Sequence, residues 1–208
     1  MNLMKNKFSL LTQKKLNILL KKRPFIKNMI CGQKNRAGKN ALGKITVHHK
    51  GGGHKKKYRK INFIRNHNSE GIVTSLEYDP YRTAFIASVY DFLNSNYFYI
   101  IAPKYLNIGD IVKSGLTAEI KIGHTVALTK IPEGSIIHNI SLEKNKKAQL
   151  SRSAGTSSQL IKNDPNFCKI TLSSGKQKIL PSTCCATIGS VSNQFSFLKQ
   201  IRKAGRNR

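Results

Sequence analysis

The middle of the chain alternates hydrophobic and polar positions with the period of two that is typical of a half-buried β-strand. Residues 72–78 have this alternation, which ends at an Asp-Pro pair. Residues 83–90 and 97–102 are aromatic and β-branched runs, and the Asn-Ser-Asn sequence at 94–96 between them is typical of a hairpin turn. The pattern predicts three consecutive strands, of which the last two form a hairpin.

Further short strands are predicted by apolar and β-branched runs that lie between turn-forming residues. They lie at residues 44–48, 58–63, 125–128, 136–142, 160–163, 167–172 and 177–180. Many short strands with regular turns favour small barrels, because closing a sheet removes the exposed edges at which chains aggregate. We therefore predict a mainly β protein with two barrels and a seam around residues 115–123.

Helical patterns are limited to two segments. Residues 193–203 place Phe197, Leu198 and Ile201 on one helical face, and Gly205 would end that helix. Residues 10–22 could form a second helix, which is marginal without a partner. No apolar run in the sequence reaches the roughly 20 residues that a membrane-spanning helix needs, so no membrane span is expected.

Charge is distributed unevenly along the 208 residues, which carry 37 Lys and Arg against 9 Asp and Glu, a net charge of +28. Residues 1–69 contain 19 basic residues and no acid, residues 70–164 contain 10 basic and all 9 acidic residues, and residues 165–208 contain 8 basic residues and no acid. This distribution indicates a compact domain with two cationic arms. So large an excess requires a polyanionic partner, and RNA, DNA and an anionic membrane are the candidates.

The cysteines and the N-terminus bear on the compartment. Cys31, Cys168, Cys184 and Cys185 have no CxxC spacing, and we interpret them as small buried hydrophobic residues of a protein in a reducing compartment. Residues 1–27 are Lys-rich and acid-free, which fits an organellar presequence or a basic arm kept in the mature protein. The segment contains a single Arg, which favours the retained arm.

Residues 34–63 combine basic side chains, three consecutive glycines and an aromatic strand, in the sequence KNRAGKNALGKITVHHKGGGHKKKYRKINF. Because glycine lacks Cβ, the backbone at Gly51, Gly52 and Gly53 can take a positive φ and approach a phosphate or sugar closely. The donors around this turn are His49, Lys50, His54, Lys55, Lys56, Lys57, Arg59 and Lys60. The segment predicts a nucleic-acid contact, and a linker with a solvated charge run is the alternative.

The spacing of Gly38, Gly43 and Lys44 matches a nucleotide-binding P-loop. However, Ile45 stands where a P-loop needs Ser or Thr to hold Mg²⁺, and a basic coil leads into a strand instead of a strand into a helix. The acids are spread singly, without the pairing that hydrolytic catalysis uses. We therefore expect no nucleotide hydrolysis and no other enzymatic activity.

A metal site built from His48, His49 and His54 with Cys31 is likewise not expected. Zinc needs four ligands at set spacing, and the surrounding cations repel a divalent ion. Hydrogen bonding to nucleotides, or stacking on them, suits these histidines better.

A second candidate contact is the polar loop at residues 152–156. Arg152 supplies a guanidinium fork, Ser153 and Thr156 supply hydroxyl groups, and Ala154 and Gly155 form a small-residue turn that RNA could approach closely. A polar loop with no ligand is the alternative.

Residues 34–63 resemble the signature of the universal large-subunit ribosomal protein L-two family, in which a GRNNxGRIT segment leads into RHxGGGHKxxYRxIDF. Further motifs resemble the family in the same order: LEYDPYR at 76–82, APKYLNIGD at 102–110, IPEGSIIHNI at 131–140, RSAGT at 152–156 and ATIGSVSN at 186–193. The resemblance extends from about residue 34 to residue 205 and is weak over residues 1–33.

The resemblance implies an oligonucleotide-binding (OB) barrel at 34–118 and an SH3-like barrel at 119–195, between a basic N-terminal arm at 1–33 and a basic C-terminal tail at 196–208. It implies a structural protein of the large ribosomal subunit that binds ribosomal RNA and neighbouring ribosomal proteins and supports assembly around the peptidyl transferase centre. Because the chemistry there belongs to RNA, no cofactor is expected. The alternative is a free RNA- or DNA-compacting protein, which needs charge but no ordered motifs.

The expected RNA contacts comprise the basic and glycine residues of the first motif, the arginine of LEYDPYR, the RSAGT loop and the basic tail. They are Lys34, Arg36, Lys39, Lys44, His48, His49, Lys50, Gly51, Gly52, Gly53, His54, Lys55, Lys56, Lys57, Tyr58, Arg59, Lys60, Arg65, Arg82, Arg152, Ser153, Ala154, Gly155, Thr156, Arg202 and Lys203.

The chain departs from the family at a few positions. Lys44 and His48 replace arginines and Asn62 replaces an aspartate, so the first two positions lack the guanidinium group that contacts a phosphate bidentately. The family continues past residue 205 into a long Gly- and His-rich extension, whereas this chain stops at Arg208. We hypothesise that a separately encoded polypeptide supplies the extension. With the heavy use of Lys, Asn and Ile, this indicates a mitochondrial ribosome; a bacterial cytoplasm or a plastid is the alternative.

Overall fold

The structure is a computed structural model that describes residues 26–33 and 35–203. The chain is mainly β, as the sequence predicts. Helical structure in the described ranges consists of short 3₁₀ turns at Lys27–Met29, Leu128–Lys130 and Ser196–Leu198. The strands are β1 (Ile30–Gly32), β2 (Lys57–Arg59), β3 (Ser69–Glu77), β4 (Ile86–Asp91), β5 (Asn96–Ile101), β6 (Ile111–Ser114), β7 (Thr125–Ala127), β8 (Ile136–His138), β9 (Ile140–Ser141), β10 (Ala148–Leu150), β11 (Ser158–Asn163), β12 (Phe167–Thr171), β13 (Gln177–Pro181) and β14 (Cys185–Ile188).

Strands β3 to β6 form an antiparallel sheet in the first half of the chain. β3 pairs with β4 on one side and with β6 on the other, and β4 pairs with β5 in the predicted hairpin. The alternation of β3 turns Val73 towards a core that contains Val89, Ile100 and Val112. Strand pairing and the burial of one face therefore agree with the period of two in the sequence.

The second half contributes the antiparallel strand order β13-β12-β11-β8-β14-β7. Its core contains Ile137, Leu160 and Ile170. One parallel pair, Ser114 with Thr125, joins β6 to β7, so the strands of both halves belong to a single ten-stranded sheet. The two largest buried clusters draw on residues 73–112 and 118–188. The four-part division into arm, two barrels and tail stays a prediction.

Strands β5 and β13 are the two edges of this sheet. On β13, Lys178 and Ile179 are exposed, and Lys176 precedes the strand in an exposed turn. Pro181 at the end of β13 has no N–H to offer a further strand. Charge and proline are common means by which sheet edges resist pairing with other molecules.

Most strands predicted from the sequence are present with shifted bounds, but the strand predicted at residues 44–48 is wrong. Only Ile45 has a β-partner there, in an isolated bridge to Lys39. The side chains of Ile45 and Val47 remain 54% and 51% exposed. Because no neighbouring sheet covers this segment, its β-branched residues have nothing to pack against.

The helix predicted at residues 193–203 is also wrong, since it is reduced to the 3₁₀ turn Ser196–Leu198. Phe197, Leu198 and Ile201, the expected apolar face, are all exposed. A short helix is marginal in water without an apolar surface to cover its face. Gly205 and the marginal helix at residues 10–22 lie outside the described residues.

The four cysteines are free thiols. Cys168 and Cys184 are buried in the core of the second half, as expected, whereas Cys31 and Cys185 are half-buried. Burial raises the pKa of Cys168, Cys184 and Cys185. These three side chains therefore serve as small apolar groups at neutral pH.

A buried tyrosine ties the start of the described chain to the first sheet. The Tyr99 hydroxyl accepts a hydrogen bond from the Ile26 N–H at 3.0 Å and donates to the Glu77 carboxylate at 3.0 Å. Burial raises the pKa of Tyr99 to about 12, against the opposing effect of the hydrogen bond from Ile26. Glu77 also accepts from the Ser75 hydroxyl at 3.0 Å. The carboxylate is thus satisfied inside the protein, as a buried charge requires.

A buried arginine and histidine occupy the region between the halves. Arg65 is 6% exposed, and its Nη1 donates to the Gly123 carbonyl oxygen at 3.0 Å. His138 is fully buried, and its Nδ1 lies 2.8 Å from the Gly189 carbonyl oxygen. Burial, together with the charge of Arg65, lowers the pKa of His138 to about 4. The imidazole is therefore neutral and donates its Nδ1 proton to the carbonyl.

Replacing Gly71 by Ala is expected to destabilise the first sheet. The new Cβ would stand 2.7 Å from Val89 Cγ1 and closer still to the Tyr90 carbonyl oxygen. Overpacking of this kind costs about 1–3 kcal/mol. Urea unfolding measures the loss. The matched control is Gly32→Ala, where nothing lies within 4 Å of the added Cβ; equal effects of the two substitutions would contradict the packing of β3 on β4.

Stability is expected to fall on acidification because of His138. Its pKa is about 4 in the folded chain and 6.5 ordinarily, so the unfolded chain takes up the proton first as the pH falls. The loss begins near pH 6.5, ends near pH 4, and amounts to about 2 kcal/mol by pH 5. His138→Asn keeps a donor but cannot titrate. Unfolding free energies at pH 7, 6 and 5 should therefore depend less on pH in the variant; identical slopes would refute the assignment.

Candidate nucleic-acid interface

The basic glycine segment, residues 35–57, connects β1 to β2 and is held by hydrogen bonds of its own. Asn35 Nδ2 donates to the Gly52 carbonyl oxygen at 2.8 Å and brings the ends of the loop together. Within the loop, the Thr46 N–H donates to the Gly38 carbonyl oxygen at 2.9 Å. A Cβ at Gly38 would overlap a backbone carbonyl oxygen across the loop, so this close approach requires glycine. The segment has a defined conformation with its side chains directed outward.

The triple glycine forms part of this loop. The sequence predicted that the three glycines permit a positive φ. Gly53 has one, at +62°, whereas Gly51 and Gly52 do not. Nothing lies within 4 Å of the place where a Cβ on Gly51 would stand. The backbone is therefore open to a ligand at Gly51.

The cations of the basic glycine segment are exposed and have no acidic partner among the described residues. The exposed cations are Arg36, Lys39, Lys44, Lys50, Lys55, Lys56 and Lys57, followed by Lys60 just after β2. His48, His49 and His54 are exposed beside them. The ion pairs of the structure use other cations, namely Arg59, Arg82, Lys113, Lys121, Lys146 and Lys162. The segment thus presents uncompensated positive charge, which a chain of phosphates would neutralise.

Next to this segment lies a group that we call the arginine–aromatic cluster: Tyr58, Phe63, Tyr81, Arg82 and Arg152. The guanidinium carbon of Arg82 lies 6.0 Å from the ring centre of Tyr58 and 5.9 Å from that of Phe63. The guanidinium carbon of Arg152 lies 4.9 Å from the ring centre of Phe63. Tyr58 and Tyr81 meet edge to face at 5.5 Å. Rings and guanidinium groups of this kind can stack on nucleotides.

A buried carboxylate fixes one side of the cluster. Asp79 is fully buried, and its Oδ2 lies 3.1 Å from Arg82 Nε. Its Oδ1 accepts from the Tyr81 N–H at 2.9 Å and lies 4.0 Å from Arg59 Nη1. The Asp-Pro pair that ends the alternating strand thus supplies the acid that orients an arginine three residues later.

The RSAGT loop, residues 152–156, is docked against the segment that follows β14. Ala154 packs on the buried cluster that contains Val191. The Gly155 N–H donates to the Ser192 carbonyl oxygen at 3.1 Å, and a Cβ on Gly155 would stand 2.9 Å from Gln194 Cα. The close contact and a φ of +71° both require glycine at this position. The loop therefore presents Arg152 and Ser153, which are exposed, from a fixed backbone.

Not every expected contact residue lies on this surface. Arg59 and Arg65 are 4% and 6% exposed, and their guanidinium groups donate to the carbonyl oxygens of Lys57 and Gly123. Arg202 and Lys203 are exposed but make no described contact with the cluster. Lys34 lies outside the described residues.

The geometry of the segment also bears on the P-loop-like spacing and on the metal site that its histidines suggested. The P-loop-like stretch at residues 38–44 is followed by turns and an isolated bridge, and not by a helix. Within the described ranges, no group of three His, Cys, Asp or Glu side chains is arranged to hold a metal ion. No helix in those ranges is long and apolar enough to cross a membrane.

Sequence reasoning missed Phe63 and Tyr81 as parts of this surface, and Asp79 as the buried acid that supports it. Tyr81 and Asp79 lie in the LEYDPYR motif, in which the sequence assigned a role to Arg82 alone. Phe63 was seen only as the end of an apolar run. Its contact with Arg152 spans 89 positions and left no local signal in the sequence.

Comparison with known proteins gives consistent matches along the chain. The family described as Ribosomal Proteins L2, RNA binding N-terminal domain, matches residues 26–114, and Ribosomal Proteins L2, C-terminal domain, matches residues 121–208. The large ribosomal subunit protein uL2m of Reclinomonas americana is 49% identical over 185 residues, which is 88% of this chain and 66% of that relative's length. The chain therefore spans slightly less than two thirds of that relative. Its mainly β fold agrees with the OB-like N-terminal domain of the family. The chain belongs to the ribosomal protein L2 (uL2) family.

Proposed function

We propose that the chain is a structural constituent of the large subunit of a mitochondrial ribosome. It binds large-subunit ribosomal RNA and neighbouring ribosomal proteins, and it supports assembly around the peptidyl transferase centre. The observation that carries this proposal is the basic glycine segment, whose exposed cations lack acidic partners and lie beside the arginine–aromatic cluster. Membership of a family whose N-terminal domain is described as RNA binding supports it.

The roles divide along the chain. Residues 34–118 form an OB-type RNA-binding domain and residues 119–195 an SH3-like domain, while residues 1–33 and 196–208 are basic extensions that lie among phosphates. The contacts are made by the exposed cations of the basic glycine segment, by Lys60, Arg82, Arg202 and Lys203, and by the RSAGT loop. Arg59 and Arg65 are buried and are not proposed to contact RNA directly; Arg59 lies near Asp79, which orients Arg82.

The mitochondrial assignment has two supports. The relative from Reclinomonas americana carries the name uL2m, which belongs to a mitochondrial ribosomal protein. The heavy use of Lys, Asn and Ile fits an AT-rich organellar genome. A bacterial cytoplasm or a plastid is the alternative. The Gly- and His-rich extension of the family is proposed to come from a separately encoded polypeptide of the same ribosome.

Sedimentation of cell and organelle extracts, followed by mass spectrometry of the large-subunit peak, tests these assignments. The chain is expected in the mitochondrial large-subunit peak, together with a second polypeptide that contains the family extension. Finding the chain only in free fractions would refute the ribosomal assignment. An inventory of the subunit with no separate extension fragment would refute the second polypeptide alone.

RNA affinity is expected to depend steeply on salt and specifically on Arg152. If about ten phosphates are contacted, raising the salt from roughly 50 to 200 mM weakens binding by about 10³ to 10⁵.

Arg152→Gln should weaken binding to cognate large-subunit RNA by roughly ten-fold or more, and binding to arbitrary duplex RNA by less. Filter binding or fluorescence anisotropy measures both.

The control substitution is Lys176→Gln, in the exposed turn between β12 and β13. Removing that charge should change both affinities only slightly and by similar factors. A salt-independent affinity would argue against the phosphate contacts. Equal losses from Arg152→Gln and Lys176→Gln on both RNAs would instead indicate a nonspecific nucleic-acid-compacting protein.

A further inference from the structure

Phe63 stands between two arginines that are far apart in the sequence. Its ring centre lies 5.9 Å from the guanidinium carbon of Arg82 and 4.9 Å from that of Arg152. Both distances are within the range in which a cation is attracted to the face of an aromatic ring. One phenylalanine thus contacts both motifs, LEYDPYR and RSAGT, that contribute arginines to the surface.

Phe63 is itself held in place by the protein. Its ring packs against the small buried cluster of Ala84, Ile101 and Val191. Its carbonyl oxygen accepts a hydrogen bond from the Ala148 N–H at 3.1 Å, at the start of the strand that leads to the RSAGT loop. The ring is half-buried, so one part is fixed by packing while another part contacts the arginines.

The two arginines depend on the ring to different extents. Arg82 is also held by Asp79, 3.1 Å from its Nε, and by the ring of Tyr58. Its Nη1 is buried without a hydrogen-bond partner among the described residues, and 20% of the side chain is exposed, so only part of the guanidinium group faces outward. Arg152 is exposed and has no described ion pair or side-chain hydrogen bond, and its ring contact with Phe63 is what orients it.

We propose that Phe63 is a positioning residue that joins Arg82 and Arg152 into one binding site for the sugar–phosphate backbone of RNA. The inference rests on the proposed function and identifies the part of the ligand that this site takes. A free arginine side chain loses rotamer freedom when it binds, and a ring that restricts it beforehand lowers that cost. The exposed guanidinium fork of Arg152 can then contact a phosphate bidentately, while the exposed part of Arg82 contacts a neighbouring phosphate oxygen.

A purely apolar role for Phe63 predicts a different outcome from a positioning role. If the ring only fills space, another apolar side chain should preserve RNA binding once the protein is folded. If the ring orients the arginines, binding requires an aromatic face. Phe63→Leu, Phe63→Tyr and Arg152→Gln separate these cases in the full chain.

Binding of each variant to a transcript of cognate large-subunit RNA is measured at fixed salt, with thermal melting as the measure of folding. Phe63→Leu should weaken binding by roughly five- to twenty-fold, which corresponds to two cation–ring contacts. Phe63→Tyr keeps the ring and should restore affinity to within about two-fold. Phe167→Leu, at a phenylalanine that is 59% exposed on β12, is the control and should have no effect.

The double variant tests whether Phe63 acts through Arg152. Phe63→Leu lowers RNA affinity by a certain factor in the unmodified chain. In a chain that already carries Arg152→Gln, the same substitution should lower the affinity by less than half of that factor. Multiplicative losses would overturn the positioning role, as would full affinity in Phe63→Leu. If the unmodified chain does not prefer cognate RNA to duplex RNA, the proposed function fails instead.

A spectroscopic readout tests the ring contact in the unmodified chain itself. In the unmodified free chain, a guanidinium carbon 4.9 Å from the ring centre places the Arg152 Cδ protons near the ring, where the ring current shifts their NMR signals upfield. The shift should disappear in Phe63→Leu and persist in Phe63→Tyr. Ordinary Arg152 shifts in the unmodified chain would overturn the proposal.

Discussion

Electrostatic repulsion among unpaired cations is the constraint that determines where this structure places its few acids. The carboxylates of Glu77, Asp79 and Asp91 are buried in internal hydrogen bonds or ion pairs. Several exposed acids pair with lysines close to them. Neither set reaches the basic glycine segment in the described structure. The fold therefore leaves its most cationic surface to an external polyanion, and one of its buried acids orients an arginine towards that surface.

Local patterns were sufficient for the parts of the fold that depend on neighbouring residues. The alternation at β3 and the β4–β5 hairpin were predicted because strand period and turn chemistry are local. β14 was missed although it is central, because its short sequence has no distinctive pattern and its pairing with β7 and β8 is set by distant residues. The helix predicted at residues 193–203 has a distinctive local pattern, but it does not form because its apolar residues have no surface to pack against.

The candidate site was predictable in composition but not in arrangement. The basic run was evident from charge, Arg152 was a candidate from the chemistry of its loop, and the role of Arg82 came from the resemblance to a family. Burial of Arg65 was not foreseeable, because it depends on a hydrogen bond to the Gly123 carbonyl oxygen, 58 positions away. The sequence shows which residues are basic. Tertiary contacts determine which of these side chains lie at the surface and which contact the same aromatic ring.

A molecule free of RNA leaves the sheet edge at β13 open, whereas the edge at β5 is bridged at Tyr99 by Ile61. On β13, the repulsion between lysines of neighbouring molecules opposes strand addition, but ions screen that repulsion at high ionic strength. Concentrated salt is also the condition that releases such a protein from RNA. High salt that releases the protein from its ribosome therefore also screens the lysine repulsion at β13. The released protein is then more prone to self-association through this edge.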